Sequence, residues 1–340
     1  MKIIIDSAIP YIKDRIPSGV ETVYMPGKEI DEEIAKDADA LIVRTRTRCA
    51  EDLLRNSKVK LVSTATIGTD HIDIPWCEKN GIKVVSAPGC NAPGVAQYVL
   101  ASLYKSGFNP KNNTLGIIGF GHVGQIVADW ATTLGIKTII SDDPRKEAGY
   151  EDVEYQSMDY LLRESDAVTL HVPLVKDGKF PTINLIGEKE LDLMKSGAVL
   201  VNSSRGGVVN EAALKEKLRE GRVKAVVDVW ENEPEIDREL VGLSFISTPH
   251  IAGYSAEGKK RATRMVLESV KDFFDIPVDL TGLECVPASG KTISGKMISD
   301  SHDPMKDSED LKRDTTKFEE LRNRYNYRHE PLFLQDNLKQ

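Results

Sequence analysis

Three late apolar runs in this chain each stop on a residue that redox chemistry can use. "AVLVNSS" leads into Arg205, "KAVVDVW" into Glu233, and "SFISTPH" ends on His250. Oxidising a 2-hydroxy acid needs a grip on the carboxylate, a base for the hydroxyl proton and a hydride acceptor beside C2. A guanidinium meets a carboxylate through two parallel hydrogen bonds, which suits Arg205 to the first task. An imidazole titrates near neutrality, which suits His250 to the second, with Glu233 orienting the ring and stabilising its charged form. Each residue alone has a plainer reading: a surface ion pair, a loop glutamate before Pro234, a satisfied core histidine. On successive strand ends they converge, because ligands of an open parallel sheet bind outside the carboxyl ends of the strands. His71, His171, His302 and His329 lack that setting and read as structural or surface residues, with His171 placed to line the site.

The hydride acceptor has its own signature. "TLGIIG" delivers Gly119-Phe120-Gly121-His122-Val123-Gly124 to the same edge, followed by the helical pattern "QIVADWATTLG" and a second strand ending on Asp142. Gly119 permits the tight turn, Gly121 lets the backbone approach a pyrophosphate, and Gly124 lets the helix pack on the strand. His122 and Val123 fill the variable positions, and His122 reads as a surface histidine. Asp142 lies 23 positions beyond Gly119, close to the spacing of a carboxylate that binds a ribose 2′-hydroxyl. Asp142 and Asp143 favour NAD, while nearby Arg145 leaves NADP open.

These residues need a scaffold of buried parallel strands. Strand-like runs alternate with helical patterns almost throughout, the mark of βαβ architecture. A first block reads "KIIID", "ALIVRT", "LVSTAT" and "KVVSAP" as strands, with helices near 29–37, 50–57 and 72–80. A second block carries "TLGIIG", "TIISD", "AVTLHV", "AVLVNSS", "KAVVDVW" and "SFISTPH". A helix capped by Asn91 with Pro93 in its first turn joins the blocks. A second, through "AEGKKRATRMVLESVKDFF", repeats Ala262, Met265, Val266, Ser269 and Phe273 at helical spacing and returns the chain to the first block, making that domain discontinuous. Beyond it Pro277, Gly282, Pro287, Gly290 and Gly295 read as a linker. The mixed-charge tail that follows has a sparse stripe of Leu311, Phe318, Leu321 and Tyr325.

At 340 residues the chain exceeds one usual core and divides into two domains or slightly more. A net charge of −8 argues against a broad nucleic-acid or anionic-membrane surface. Cys49, Cys77, Cys90 and Cys285 have no metal-ligand spacing and read as thiols in a reducing compartment. The three-residue apolar run before Asp6 is too short for a signal peptide, and no stretch approaches a membrane span, so a cytoplasmic location is expected.

The order GxGxxG, "NSSRGGVVNEAAL", "DVWENEP", "TPHIAGYS" resembles the D-isomer-specific 2-hydroxyacid dehydrogenases over residues 1–275. The resemblance implies an α/β fold of two doubly wound parallel-sheet domains. Residues 1–93 with 256–275 would form a flavodoxin-like substrate-binding domain and 94–255 a Rossmann NAD-binding domain. It makes Arg205, Glu233 and His250 catalytic. The segments "ATIGTDHID", "APGCNAPGVAQYV", "HVPLVKDGKF" and "TPHIAGYSAEGK" are similar to a branch of that family serving vitamin B6 biosynthesis, whose substrate is a small hydroxy acid phosphorylated at C4. That similarity implies substrate contacts at Thr45, Thr66 and Tyr254, and NAD contacts at Asp142, Val172, Asp228 and Gly253. Position 172 departs from the pattern, being valine where threonine is expected, so a contact there uses the backbone. The tail resembles that branch's C-terminal dimerisation region, implying a homodimer with 276–340 as linker and dimerisation segment, although the region is short for it.

A phosphorylated substrate needs a second anion site. "VRTRTR" places Arg44, Arg46 and Arg48 just past a strand, where alternation would send them to one side of an extended segment. Phosphate recognition by Arg44, Arg46 or Arg48 competes with an exposed basic edge that guards against strand pairing. Other 2-hydroxy acids, such as 3-phosphoglycerate or an unphosphorylated one, fit the same chemistry. A dinucleotide-sensing binding protein is the alternative outside catalysis.

Overall fold

Most of the apolar runs become strands buried on both faces, and among the described residues every strand pair is parallel. The computed structural model describes residues 1–286 and 292–331. Contacts divide the chain into one unit of Met1–Asn91 with Ser255–Val286 and another of Ala92–Tyr254 with Pro287–Gln340.

The first unit holds β1 (Lys2–Asp6), β2 (Glu21–Met25), β3 (Ala40–Val43), β4 (Leu61–Thr64) and β5 (Lys83–Val85), in the order β2-β1-β3-β4-β5. Short helices α1 (Glu32–Ala35), α2 (Glu51–Leu54) and α3 (Ile74–Lys79) lie between strands. Strand β2 has no counterpart among the expected runs. It is an edge strand whose residues are all partly exposed, so it carries no continuous apolar signal.

The second unit opens with α4 (Ala92–Lys105). The expected Asn91 cap does not form, since its Oδ1 is buried without a hydrogen-bond partner. There follow β6 (Thr114–Ile118), α5 (His122–Thr133), β7 (Lys137–Ser141), α6 (Asp143–Glu147), α7 (Met158–Glu164) and β8 (Ala167–Leu170). The block closes with α8 (Glu188–Leu193), β9 (Ala198–Asn202), α9 (Glu211–Arg219), β10 (Val223–Val227), α10 (Arg238–Leu243) and β11 (Ile246–Ser247). The sheet order is β11-β10-β9-β8-β6-β7. The chain runs one way from β6 to β7 and the other way from β8 onward, so the switch point falls between β6 and β8.

Helix α11 (Ala256–Phe274) starts on a Ser255 cap, whose hydroxyl accepts the Gly258 N–H at 3.0 Å, and ends at Asp275 in the left-handed region. Val266, Leu267 and Val270 are fully buried with Ile3, Ile5, Ile42 and Leu61, which returns the chain to the first sheet. The segment after it stays with that unit through fully buried Leu283. Pro287 and Gly290 lie outside the described residues, as does 332–340. Gly295 breaks nothing: it opens α12 (Gly295–Ser301).

The tail continues as α13 (Pro304–Arg313) and α14 (Phe318–Asn323), so the expected stripe is split between two helices rather than carried by one. Leu311 and Phe318 sink into the second unit's core beside Leu240 and Val241. Helix α13 also covers the edge of β11, where the Ser308 hydroxyl accepts the Ser247 N–H at 2.9 Å. The described residues of the segment expected to serve dimerisation pack on their own chain. Among the described residues no helix is long and apolar enough to cross a membrane, and none of the four cysteines forms a disulfide.

Candidate active site

At the switch point, Gly119 has φ +90°, and an added Cβ would lie 2.6 Å from the His171 carbonyl oxygen. Only glycine suits that turn. A Cβ on Gly124 would lie 2.1 Å from the Gly119 carbonyl oxygen, so α5 packs directly on the turn. Gly121 differs: a Cβ there meets nothing within 4 Å. Its open face sits at the N-cap of α5, where amides and the helix dipole favour an anion. His122 is exposed, and Val123 packs partly into the core. Val172, half-buried, puts a methyl against the Gly119 turn.

Asp142 caps α6 by accepting the Arg145 N–H at 3.0 Å, and its other oxygen accepts the Phe120 N–H at 2.7 Å. The carboxylate is thereby fixed beside the glycine turn. Arg145 is committed elsewhere, to Asp152 at 2.7 Å and the Tyr155 hydroxyl at 3.0 Å, with its guanidinium 3.9 Å from the Tyr150 ring centre. That removes the obvious partner for a 2′-phosphate and favours NAD. His171 is not an acid: burial pushes its imidazole down to about 3, and its Nε2 lies 3.1 Å from the Thr169 hydroxyl.

Arg205, Glu233 and His250 follow β9, β10 and β11, three adjacent strands. The loops after β9 and β10 touch through Gly206, where a Cβ would fall 1.9 Å from the Trp230 carbonyl oxygen. Arg205 is half-buried, with Nη1 donating to the Ser204 carbonyl at 2.8 Å. Glu233 faces His250, with Oε2 2.9 Å and Oε1 3.1 Å from Nδ1, and accepts the Trp230 N–H at 3.1 Å. Burial raises the Glu233 carboxyl, but the hydrogen bond and charge of His250, the Trp230 amide and the Arg322 cation outweigh it and hold it below its ordinary value. An ionised carboxylate can only accept, so Nδ1 carries the proton and Nε2 is the nitrogen left for a substrate. His250 itself has φ +57°, a costly conformation for a non-glycine residue.

Asp228 explains how that conformation is held. It is buried at the end of β10 and accepts from the Thr248 hydroxyl at 2.6 Å, the Ile251 N–H at 2.8 Å and the Ala252 N–H at 2.9 Å. Burial raises its carboxyl despite the charge of His250 and these bonds. Sequence reasoning made Asp228 a cofactor contact; the structure has both its oxygens holding the loop that follows His250. Gly253 lies in the turn closed by the Tyr254 N–H to the Ile251 carbonyl at 2.8 Å. The Tyr254 hydroxyl accepts from Arg322 Nε at 3.2 Å, and its ring meets Tyr325 and Tyr327 edge-on.

In the first unit, the segment after β3 does not extend as expected. The Thr47 N–H bonds to the Arg44 carbonyl at 3.2 Å and its buried hydroxyl to Gly27, so the chain turns. The three arginines therefore do not share a side. Arg44 donates to the Ala8 carbonyl at 2.9 Å, while Arg46 and Arg48 line a surface hollow of about 310 Å³ that also holds Asp31, Glu32 and Asp52. Thr45 is exposed at the turn. The Thr66 hydroxyl lies 2.7 Å from that of Thr64 and donates to the Gly68 carbonyl at 2.9 Å.

The D-isomer specific 2-hydroxyacid dehydrogenase NAD binding domain matches residues 97–252. The chain is 45% identical, over 97% of both lengths, to erythronate-4-phosphate dehydrogenase of Bacteroides fragilis. It is 43% identical to the enzyme of that name from Escherichia coli O157:H7, over 80% of this chain and 73% of the other. The chain belongs to the D-isomer-specific 2-hydroxyacid dehydrogenase family. Among solved structures, the D-lactate dehydrogenase of Aquifex aeolicus, complexed with NAD and lactic acid, is similar at TM-score 0.65 and 27% identity, over 81% of this chain and 96% of that one. The NAD-bound 3-phosphoglycerate dehydrogenase of Entamoeba histolytica gives 0.67 at 27% identity, over 81% and 95%.

Membership of this dehydrogenase family identifies an oxidoreductase with NAD as cofactor, and the Gly121 opening beside Asp142 suits that dinucleotide. Two residues at the site escaped the sequence reading. Arg322 and Arg328 stand in "LRNRYNYRHE", where nothing local separates them from a solvated charged tail.

Proposed function

We propose that this dehydrogenase oxidises 4-phospho-D-erythronate at C2 to 2-oxo-3-hydroxy-4-phosphobutanoate, a step of pyridoxal phosphate biosynthesis. The observation that carries the reading is the His250–Glu233 pair, which leaves Nε2 as a base on the edge that holds the glycine turn. Arg205 grips the C1 carboxylate, which presents the C2 hydroxyl to His250. His250 takes the hydroxyl proton at Nε2, and Glu233 stabilises the imidazolium so formed. Bound NAD supplies the acceptor for the C2 hydride. Its pyrophosphate is assigned to the turn of Gly119, Gly121 and Gly124 with His122 and Val123, its ribose to Asp142, and its remaining contacts to Val172, Gly253 and the loop that Asp228 holds.

Thr45, Thr66 and Tyr254 are assigned to substrate recognition. The distal phosphate is assigned to Arg44 or Arg46, whose planar donors match phosphate geometry. The names and high identity of the relatives support the phosphorylated four-carbon acid over 3-phosphoglycerate or a plain D-hydroxy acid. We assign the enzyme to the cytoplasm, which suits thiols outside any disulfide, and to a homodimer, to be checked by sedimentation of the full chain across concentrations. The deciding assay is initial-rate turnover with NAD on 4-phosphoerythronate, 3-phosphoglycerate and D-lactate. The proposal expects the first to have the highest kcat/KM; a preference for either of the others would defeat it.

A further inference from the structure

The tail brings a partly buried cation to the acid–base pair. Arg322 on α14 places Nη1 3.8 Å from Glu233 Oε2, while its Nε donates to the Tyr254 hydroxyl. The second tail arginine, Arg328, is buried and uses all its donors. It bonds to the carbonyls of Ile251, Ala252, Tyr254 and Gly94, the amide oxygen of Gln97 and the Tyr325 hydroxyl. Residues 251–254 therefore have two amides held by Asp228 from the core and three carbonyls held by Arg328 from the tail.

We propose that Arg322 is a positioning residue of the hydride-transfer site, fixing the Glu233 carboxylate and the Tyr254 hydroxyl in one frame around His250. The inference rests on Glu233 and His250 being the acid–base pair. With Trp230 N–H, His250 Nδ1 and Arg322 around it, the carboxylate has three partners in three directions, which fixes its plane and hence the aim of the imidazole. The tail does not need Arg322 as an anchor, because buried Leu311 and Phe318 already seat it. Setting a guanidinium against a largely buried carboxylate is costly, and a charged surface helix gains nothing from it.

Besides Arg322, the charged and titratable groups around the pair are Asp228 behind the His250 loop, Tyr254 beyond Arg322, and Arg205 on the adjoining loop. Arg322 tempers the negative field that Glu233 exerts on the imidazole. Removing it should therefore favour imidazolium, opposite in sign to removing Glu233.

The test uses the full-length enzyme with NADH and the 2-oxo acid, comparing Arg322→Met, Arg322→Lys and, as control, His250→Gln. Arg322→Met should lower kcat about tenfold, leave KM for NADH nearly unchanged, and move the pH limb of oxoacid reduction upward by about half a unit or more. Arg322→Lys should return the limb close to its original position. If Arg322→Met does not fold, Arg322→Gln, which keeps a donor for Tyr254, should show the same upward move. An unmoved limb with unchanged kcat would overturn the inference, as would a loss that merely follows the unfolded fraction. An active His250→Gln enzyme would instead remove the acid–base pair itself, and this inference with it.

Discussion

Glutamine at position 233 keeps the shape of the side chain and an acceptor for the imidazole N–H but removes the charge. The effect follows from the geometry. The Glu233 oxygen lies 2.9 Å from His250 Nδ1, with the two side chains 20% and 30% exposed. Unit charges about 4 Å apart attract by about 4 kcal/mol at an effective dielectric near 20. Partial exposure and the sharing of the carboxylate with Arg322 reduce that. Reduction of the 2-oxo acid needs the protonated ring, and its rate falls as pH rises through the limb where the proton is lost. Without the carboxylate the ring gives up its proton more readily, so the limb moves to lower pH. Loss of a charge-assisted contact of about 1.5–3 kcal/mol should lower reduction about ten- to a hundredfold on the alkaline side of the limb, while oxidation, which starts from the neutral ring, should suffer less. The assay is the initial rate of NADH-dependent reduction from about pH 5 to 9, with a melting curve at each end. A Glu233→Gln enzyme that melts normally and keeps its limb in place would refute the role given to this pair.

Asp142→Ala should weaken NAD about tenfold and narrow its advantage over NADP, since a ribose acceptor and a repulsive charge are both lost; KM for both cofactors checks this, and equal use of both by the unaltered enzyme would refute the reading. Asp228→Ala would leave the Thr248 hydroxyl and the Ile251 and Ala252 amides without their partner. At about 1–3 kcal/mol for each buried unpaired group, the loss should be at least about 3 kcal/mol, read as a lower urea midpoint. Neutralising Arg44 or Arg46, whichever holds the phosphate, should cost about 1.5–3 kcal/mol, or ten- to a hundredfold in kcat/KM, on the phosphorylated acid alone. Equal losses on an unphosphorylated analogue would remove that arginine from phosphate recognition.

Where a feature depends on residues near one another in sequence, it was legible. The strands β6, β9 and β10 are continuous apolar runs, and the Gly119–Gly124 turn and the ends carrying Arg205, Glu233 and His250 follow directly from them. Strand β2 was not legible, because an edge strand with half-exposed residues lacks the apolar run that marks its neighbours. The turn at Thr47 was missed for a related reason: it is closed by a hydroxyl bond to Gly27, twenty residues away. In the tail, Leu311 and Phe318 are cores of separate helices, and a stripe drawn through both assumed a continuity that Asp314 interrupts by capping the next turn. Family resemblance supplied the roles of Thr45, Thr66 and Tyr254, which no local pattern would have singled out.

The residues that do chemistry and the residues that aim it thus leave different traces. His250 sits at φ +57°, a conformation costing about 1–3 kcal/mol that persists only when its surroundings over-determine it. The adjoining loop has its amides bound by a carboxylate from β10 and its carbonyls bound by a guanidinium 78 residues after His250. Charge-assisted bonds of this kind contribute about 1.5–3 kcal/mol each, enough for either arm to offset the strain and for both to fix it. In the proposed mechanism, reach to the substrate is therefore local, written at strand ends, whereas orientation of the acid–base pair is assembled across the chain. A tail that looks solvated by composition can belong to the second category, and Arg328, with every donor spent on carbonyls and side chains of the second unit, is the residue that shows how.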